Sequence, residues 1–149
     1  MFPRWSALSV ISKILVAVDG SENARRALDS AVQLSSETKA ALIILTVVQP
    51  PAIMGVQRDL LGTLETLLEK EARIMLANYS TLAEKKCAKV ETVIGRGYPS
   101  KVILKSAEDA SANLIVVGSR GLSGIKELFL GSVSHTVVQN STIPVLVVK

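Results

Sequence analysis

Glycines and small polar residues are concentrated in one segment, GSRGLSGIKELFLGS (residues 118–132), which directly follows the apolar run at 114–117. Glycine lets the backbone approach a ligand without interference from a side chain, and successive N–H groups can then surround an anion. The segment ends on Gly131 and Ser132, where a helix is expected to begin. A helix N-terminus offers unpaired N–H donors and the positive end of the helix dipole. The segment therefore predicts a phosphate-binding loop.

The two better-known phosphate motifs are absent from the sequence. No G-x-x-x-x-G-K-[ST] motif occurs, and the first apolar run is followed by DGSENA and not by G-x-G-x-x-G. Sites of the Walker type and of the dinucleotide type are therefore disfavoured.

Composition narrows the class of protein. The 149 residues include 17 Lys and Arg against 13 Asp and Glu, a net charge of +4, without a basic stripe, so no nucleic-acid partner is predicted. One cysteine, Cys87, and one histidine, His135, cannot form an internal disulfide or a four-ligand zinc site. No apolar run approaches the roughly 20 residues of a membrane-spanning helix. We expect a cytoplasmic protein without a membrane partner.

Five short β-branched runs alternate with segments of helical period. The runs lie at 14–18, 41–48, 89–94, 114–117 and 143–148. Helices are predicted from Ser21 or Glu22, over 58–85, over 99–109, and from Ser132 to before Pro144. Such alternation predicts a doubly wound parallel sheet flanked by helices. Residues 1–12 lack a long apolar core and a cleavage signal, so we expect a short extension followed by one domain at 13–149.

Two of the predicted helices have a recognisable apolar stripe. The first stripe comprises Ala24, Ala27, Leu28, Ala31 and Leu34. The second comprises Leu60, Leu61, Leu64, Leu67, Leu68, Met75, Tyr79 and Leu82. The second helix would be about 40 Å long, roughly twice a typical strand, so we expect it to bend or to project beyond the sheet.

The glycine segment also resembles the signature of a known family. Gly118-Ser119-Arg120-Gly121, nine intervening residues and Gly131-Ser132 match the G-x-x-G, nine, G-[ST] pattern of ATP-binding universal stress proteins. ILVAVDGSENARRAL is similar to that family's first strand and helix, and NSTIPVLVVK to its last strand. The resemblance covers residues 13–149. It implies a Rossmann-like fold of the adenine nucleotide α-hydrolase type, with five parallel strands in the order 3-2-1-4-5.

The resemblance further implies a nucleotide site. It places Asp19 at the nucleoside beside Ala17 and Val18, Val47 against adenine and Gly118 near the ribose. It places Gly121, Gly131 and Ser132 at the phosphates, with Val133 as a backbone donor and Arg120 as a loop cation. The expected ligand is ATP, or ADP or AMP, with Mg²⁺. Thr46 stands where relatives often have histidine.

Simpler interpretations of these residues stay open. Asp19 could only cap the first helix, and the cations Arg120 and Lys126 could simply face water. Ser132 and His135 stand three apart, so a nucleophile with its base is conceivable, although a cap or phosphate donor is favoured for Ser132.

The resemblance implies a regulatory, nucleotide-dependent binding protein with at most slow ATP hydrolysis. It also implies a homodimer joined through the strand at 143–148, which would lie at an edge of the sheet with apolar residues on both faces. The alternatives are an enzyme that forms an adenylated intermediate and a structural dimer that binds no nucleotide.

Overall fold

The computed structural model describes residues 11–51, 54–122 and 130–149. Strands and helices alternate along the chain. They are β1 (Lys13–Ala17), α1 (Glu22–Thr38), β2 (Ala41–Val48), α2 (Arg58–Glu84), β3 (Val90–Arg96), α3 (Pro99–Asp109), β4 (Leu114–Gly118), α4 (Ser132–Asn140) and β5 (Val145–Val148). All four strand pairs are parallel, and the order is β3-β2-β1-β4-β5. The predicted fold class and strand order are confirmed.

The predicted extension, residues 1–12, lies almost wholly outside the described residues, which begin at Ile11. No helix within the described part of the chain is long and apolar enough to cross a membrane.

The sheet separates two apolar layers. On one face, α1 and α2 pack against side chains of β1, β2 and β4 such as Ile14, Ile44 and Val116. On the other face, α3 and α4 pack against alternate residues of the same strands, among them Leu15 and Ile115. The central strands are therefore buried on both sides, which explains why they are almost continuously apolar.

Helix α1 begins where its sequence predicts. Ser21 is the N-cap, and its hydroxyl accepts a hydrogen bond from the N–H of Ala24 at 3.1 Å. The alanines of the predicted stripe are buried, together with Leu28. Leu34 is only partly buried, at the edge of this layer.

The apolar stripe predicted for α2 is only partly the face that this helix buries, since Met75 and Tyr79 of the stripe pack partly buried against the core. The buried residues of α2 are Ala72, Leu76 and Ala83, all in the second half of the helix, whereas Leu60 and Leu67 are more than half exposed. The helix of 27 residues is about 40 Å long, and β2 with eight residues spans only about 26 Å. The first half of α2 has no buried residue because the sheet is too short to cover it, as the expected overhang requires.

The bounds of β3 and β5 differ from the sequence prediction. β3 extends to Arg96, two residues beyond the prediction, because it pairs with β2 up to Val48. β5 begins at Val145 and not at 143. Pro144, which has no N–H to donate, precedes the strand and contributes only its carbonyl, which accepts from Ile115 at 2.9 Å.

Gly118 allows α1 to pack against the end of β4. A Cβ on this glycine would lie 2.8 Å from the carbonyl carbon of Asn23 and 2.9 Å from the nitrogen of Ala24. Both atoms belong to the backbone of the first turn of α1, which cannot move as a flexible side chain would. A side chain at position 118 would therefore push α1 away from the sheet.

We expect Gly118→Ala to lower the free energy of unfolding by about 1–3 kcal/mol through this overpacking. Gly62→Ala is the matched control, because Gly62 lies in α2 with no atom within 4 Å of a Cβ. The control should raise stability by about 0.5–1 kcal/mol through helix propensity. Urea unfolding of both variants measures the difference, and a neutral or stabilising Gly118→Ala would contradict the close approach.

Candidate functional site

A cavity of about 200 Å³ opens at the carboxyl end of the sheet, where β1, β2 and β4 end close to the first turns of α1 and α4. All ten residues that sequence analysis assigned to a nucleotide site line this cavity. They are Ala17, Val18, Asp19, Val47, Gly118, Arg120, Gly121, Gly131, Ser132 and Val133. The fold thus brings the predicted residues together, and their role in binding stays a prediction.

One wall of the cavity is apolar. Leu45, Val47 and Val117 come from the sheet, and Pro99 and Ile103 come from α3. Sequence analysis identified only Val47 among these, because Leu45, Ile103 and Val117 are ordinary core residues by type and Pro99 was interpreted only as the start of a helix. A slot of this kind suits a flat, weakly polar ring.

Thr46 is not among the residues that line this cavity. Successive residues of a strand face opposite sides of the sheet, and its neighbours Leu45 and Val47 both face the cavity. The threonine that replaces the usual histidine therefore does not alter the lining of the slot.

The backbone of Val47 is available at the cavity. Val18 N–H donates to Leu45 C=O at 2.8 Å, and β1 ends as a strand at Ala17. In a parallel ladder, the N–H and C=O of Val47 would be the next groups to bond on that side. Within the described residues, no backbone hydrogen bond continues the ladder to Val47. One donor and one acceptor are thus left at the apolar slot.

The opposite end of the cavity is the N-terminus of α4. Gly131 is the N-cap and supplies no side-chain cap, and the first backbone bond of the helix runs from His135 N–H to Gly131 C=O. The N–H groups of Ser132 and Val133 precede that bond and have no partner within the helix. Together with the helix dipole, these donors make this end of the cavity suitable for an anion.

Gly131 is a glycine that the protein's own packing does not require. Its φ of −61° and ψ of 160° are open to any residue. A Cβ would come no closer than 3.4 Å to Arg120 Cα and Ser119 O, which is ordinary contact. Packing within the described residues therefore does not explain the glycine at this position.

Asp19 and Gly121 are packed against each other. One carboxylate oxygen of Asp19 accepts from Ser21 N–H at 2.9 Å. A Cβ on Gly121 would lie 2.7 Å from the other oxygen. Since Ser21 is the N-cap of α1, Asp19 supports the cap without being the cap itself. Its second oxygen instead lies beside the start of the glycine segment.

Two buried serines, to which sequence analysis assigned no role, connect the two ends of the glycine segment by hydrogen bonds. Ser119 C=O accepts from Gly131 N–H at 2.7 Å and from the hydroxyl of Ser134 at 2.9 Å. Ser119 and Ser134 are 5% and 3% exposed. The available sequence signal was weak. Ser134 stands three residues before the apolar Val137, and this places both on the inner side of α4.

The Ser132–His135 pair lacks the organisation of a nucleophile with its base. Both residues are exposed, and within the described residues no hydrogen bond joins the His135 ring to Ser132 or to a carboxylate. Lys126, the second predicted loop cation, lies outside the described residues. Within those same ranges, no group of three His, Cys, Asp or Glu could hold a metal ion.

Comparison with known proteins agrees with the fold. The profile of the Universal stress protein family matches residues 11–149. Universal stress protein YxiE of Bacillus subtilis is 41% identical over 148 residues, covering 94% of this chain and 100% of its own.

Two solved structures have the same architecture. Universal stress protein UspA from Lactobacillus plantarum is 26% identical, with a TM-score of 0.87 over 95% of this chain and 99% of its own. A universal stress protein solved in complex with cAMP is 29% identical, with a TM-score of 0.72 over 95% and 98% of the two chains. Since the family profile spans nearly the whole sequence, this chain belongs to the universal stress protein family.

Proposed function

We propose that this protein binds an adenine nucleotide, ATP or its products ADP and AMP, in the cavity at the carboxyl end of the sheet. The observation that carries the proposal is Gly131, a glycine that packing does not require, at an uncapped helix N-terminus facing an apolar slot. A ligand with an anionic group and a flat ring suits both ends of this cavity.

The base would occupy the slot formed by Leu45, Val47, Pro99, Ile103 and Val117. Adenine presents a donor and an acceptor side by side on its Watson–Crick edge, and the C=O and N–H of Val47 are complementary to them. Guanine presents a different order of donors and acceptors, so it would leave at least one of these buried groups unpaired. Specificity for adenine would thus come from the backbone.

The phosphates would lie against α4. The N–H groups of Ser132 and Val133 and the hydroxyl of Ser132 are the nearest donors, and Arg120 provides the cation of the described lining. Mg²⁺ would be held mainly by phosphate oxygens and water, which is usual for this ion. The solved relative in complex with cAMP supports an adenine nucleotide as the class of ligand.

We propose a regulatory binding role in which hydrolysis is slow at most. Phosphoryl transfer needs a positioned nucleophile and strong charge stabilisation of the transition state. His135 is exposed and is not hydrogen-bonded to Ser132 within the described residues. The geometry therefore favours Ser132 as a phosphate donor over a catalytic nucleophile.

A homodimer through β5 is the second part of the proposal. β5 is at an edge of the sheet, and Pro144 and Val148 direct their carbonyls to β4. By strand alternation, Val145 and Val147 direct their backbone groups outward, where a second β5 can pair antiparallel about a two-fold axis. The other edge, β3, carries exposed Glu91 and Arg96, and such charges discourage edge pairing.

Adenine nucleotides should stabilise the fold. At a hundred times its Kd, a ligand adds about 2.7 kcal/mol, which corresponds to a rise in Tm of roughly 5–10 °C for a protein of this size. Thermal unfolding of nucleotide-free protein with millimolar ATP and Mg²⁺ measures the rise. GTP should raise Tm less, since Val47 cannot pair equally with guanine. An unchanged Tm with ATP would argue against the site.

Gly131→Val should abolish ATP binding while the helix content is retained, because the branched side chain would reduce the space in front of α4. Calorimetric titration and circular dichroism on the same sample test this. His135→Ala is the control on the same helix and should keep its affinity and any slow turnover. If Gly131→Val binds ATP as tightly as the parent protein, the phosphates bind elsewhere.

Light scattering at tens of micromolar should give twice the chain mass of 15.9 kDa. Val147→Lys should shift the mass to that of a monomer, because a charge next to the pairing edge opposes association. Thr92→Lys, an exposed position on β3, is the control and should remain dimeric. A monomeric parent protein, or a dimer that Val147→Lys leaves intact, would show that β5 is not the interface.

A further inference from the structure

The hydroxyl of Ser134 joins the two ends of the glycine segment. It lies 2.9 Å from the carbonyl of Ser119 and 3.0 Å from the carbonyl of Gly131. A hydroxyl has one hydrogen, so the two carbonyls share it. Bonding to Gly131 is local to the helix, whereas bonding to Ser119 spans fifteen residues of sequence. We propose that Ser134 is a positioning residue that holds the N-terminus of α4 in the orientation that binds phosphate.

Ser119 is a fixed reference point for this bond. Its N–H donates to Val148 C=O at 2.7 Å, which ties it to β5. Its hydroxyl accepts from the side-chain amide of Asn23 at 3.2 Å, which ties it to the first turn of α1. Because Ser119 is hydrogen-bonded to both β5 and α1, its position relative to the sheet is fixed. A bond from α4 to its carbonyl therefore fixes α4 relative to the sheet.

The proposed phosphate donors lie between two anchors. Gly131 N–H is bonded to Ser119 C=O at 2.7 Å, and Ser134 Oγ is bonded to the same oxygen. The N–H groups of Ser132 and Val133 are the two that fall between these anchors in sequence. Both anchors end on one carbonyl, so loss of the hydroxyl leaves Gly131 N–H as the one described hydrogen bond from this helix end to Ser119.

We expect loss of the Ser134 hydroxyl to weaken ATP binding, because it lowers the population of the orientation of α4 that binds phosphate. Without the second anchor, α4 adopts the binding orientation for a smaller fraction of the time, and the apparent Kd rises in proportion. This inference rests on the proposed function, because it assigns Ser134 a part in that same site. One hydrogen bond of this kind corresponds to a several-fold to about tenfold change in an equilibrium constant.

The experiment compares Ser134→Ala with a matched control, Ser35→Ala. Ser35 is 1% exposed, and its hydroxyl donates to Ala40 C=O at 2.7 Å, at the other end of the sheet. Both variants lose one buried hydroxyl bonded to a loop carbonyl and should lose similar stability in urea. In calorimetric titrations with ATP and Mg²⁺, Ser134→Ala should bind several-fold to tenfold more weakly, and Ser35→Ala as the parent protein does. Ser134→Thr, which keeps the hydroxyl, should restore affinity.

Hydrogen exchange on nucleotide-free protein separates this inference from the proposed function. The amide of Gly131 should exchange faster in Ser134→Ala than in Ser35→Ala or the parent protein, whether or not ATP binds. If the parent protein does not bind ATP, the proposed function fails. The exchange rate of the Gly131 amide then tests the positioning role by itself. If its exchange is unchanged, or if Ser134→Ala binds ATP as the parent protein does, the positioning role is wrong.

Discussion

The cavity exists because neighbouring strands send the chain to opposite faces of the sheet. β1 leads into α1 on one face, whereas β4 leads towards α4 on the other. Their connections diverge, so the carboxyl ends of these strands stay uncovered, as parallel sheets generally do where the winding reverses. Two features of the site follow from this divergence. The ladder of β1 stops short of Val47, and the first turns of two helices point towards one crevice.

The glycines around this crevice have different physical reasons. Gly118 has no side chain because the backbone of α1 occupies that space, and Gly121 has none because the carboxylate of Asp19 does. The backbone contact explains Gly118 without a ligand, whereas the carboxylate beside Gly121 is the end of a flexible side chain that could shift. Gly131 is different, since neither its dihedral angles nor its neighbours exclude a Cβ. The absence of a packing reason at Gly131 is what supports the proposed phosphate site.

The strands and α1 could be predicted from the sequence better than the contacts that shape the site, because the former depend on local signals and the latter on residues far apart in the chain. Apolar runs and the cap at Ser21 are local signals, so they located the strands and α1 well. The buried face of α2 was predicted only in part, because burial depends on how far the sheet extends beneath the helix, which no local pattern contains. The roles of Asp19 and Val47 came from the resemblance to a family, whereas the glycine segment itself already indicated Gly131. Sequence analysis did not assign a role to Ser119 or Ser134, because a hydrogen bond across fifteen residues leaves no spacing signal in a single sequence.

In the proposed nucleotide site, most of the groups offered to a ligand belong to the backbone. Val47 contributes its N–H and C=O, and α4 contributes the N–H groups of its first turn. The position of a backbone N–H group does not depend on the type of its own side chain. The sequence controls that position only through the residue at which a helix or strand begins and through the contacts that hold this end in place. This explains why the site appears in the sequence as glycines at a fixed spacing and not as a cluster of charged side chains. For the same reason, groups that do not line the cavity contribute to the geometry of the site. The carbonyl of Ser119, which receives two bonds from α4 and lies on a residue bonded to β5, sets where those N–H groups lie.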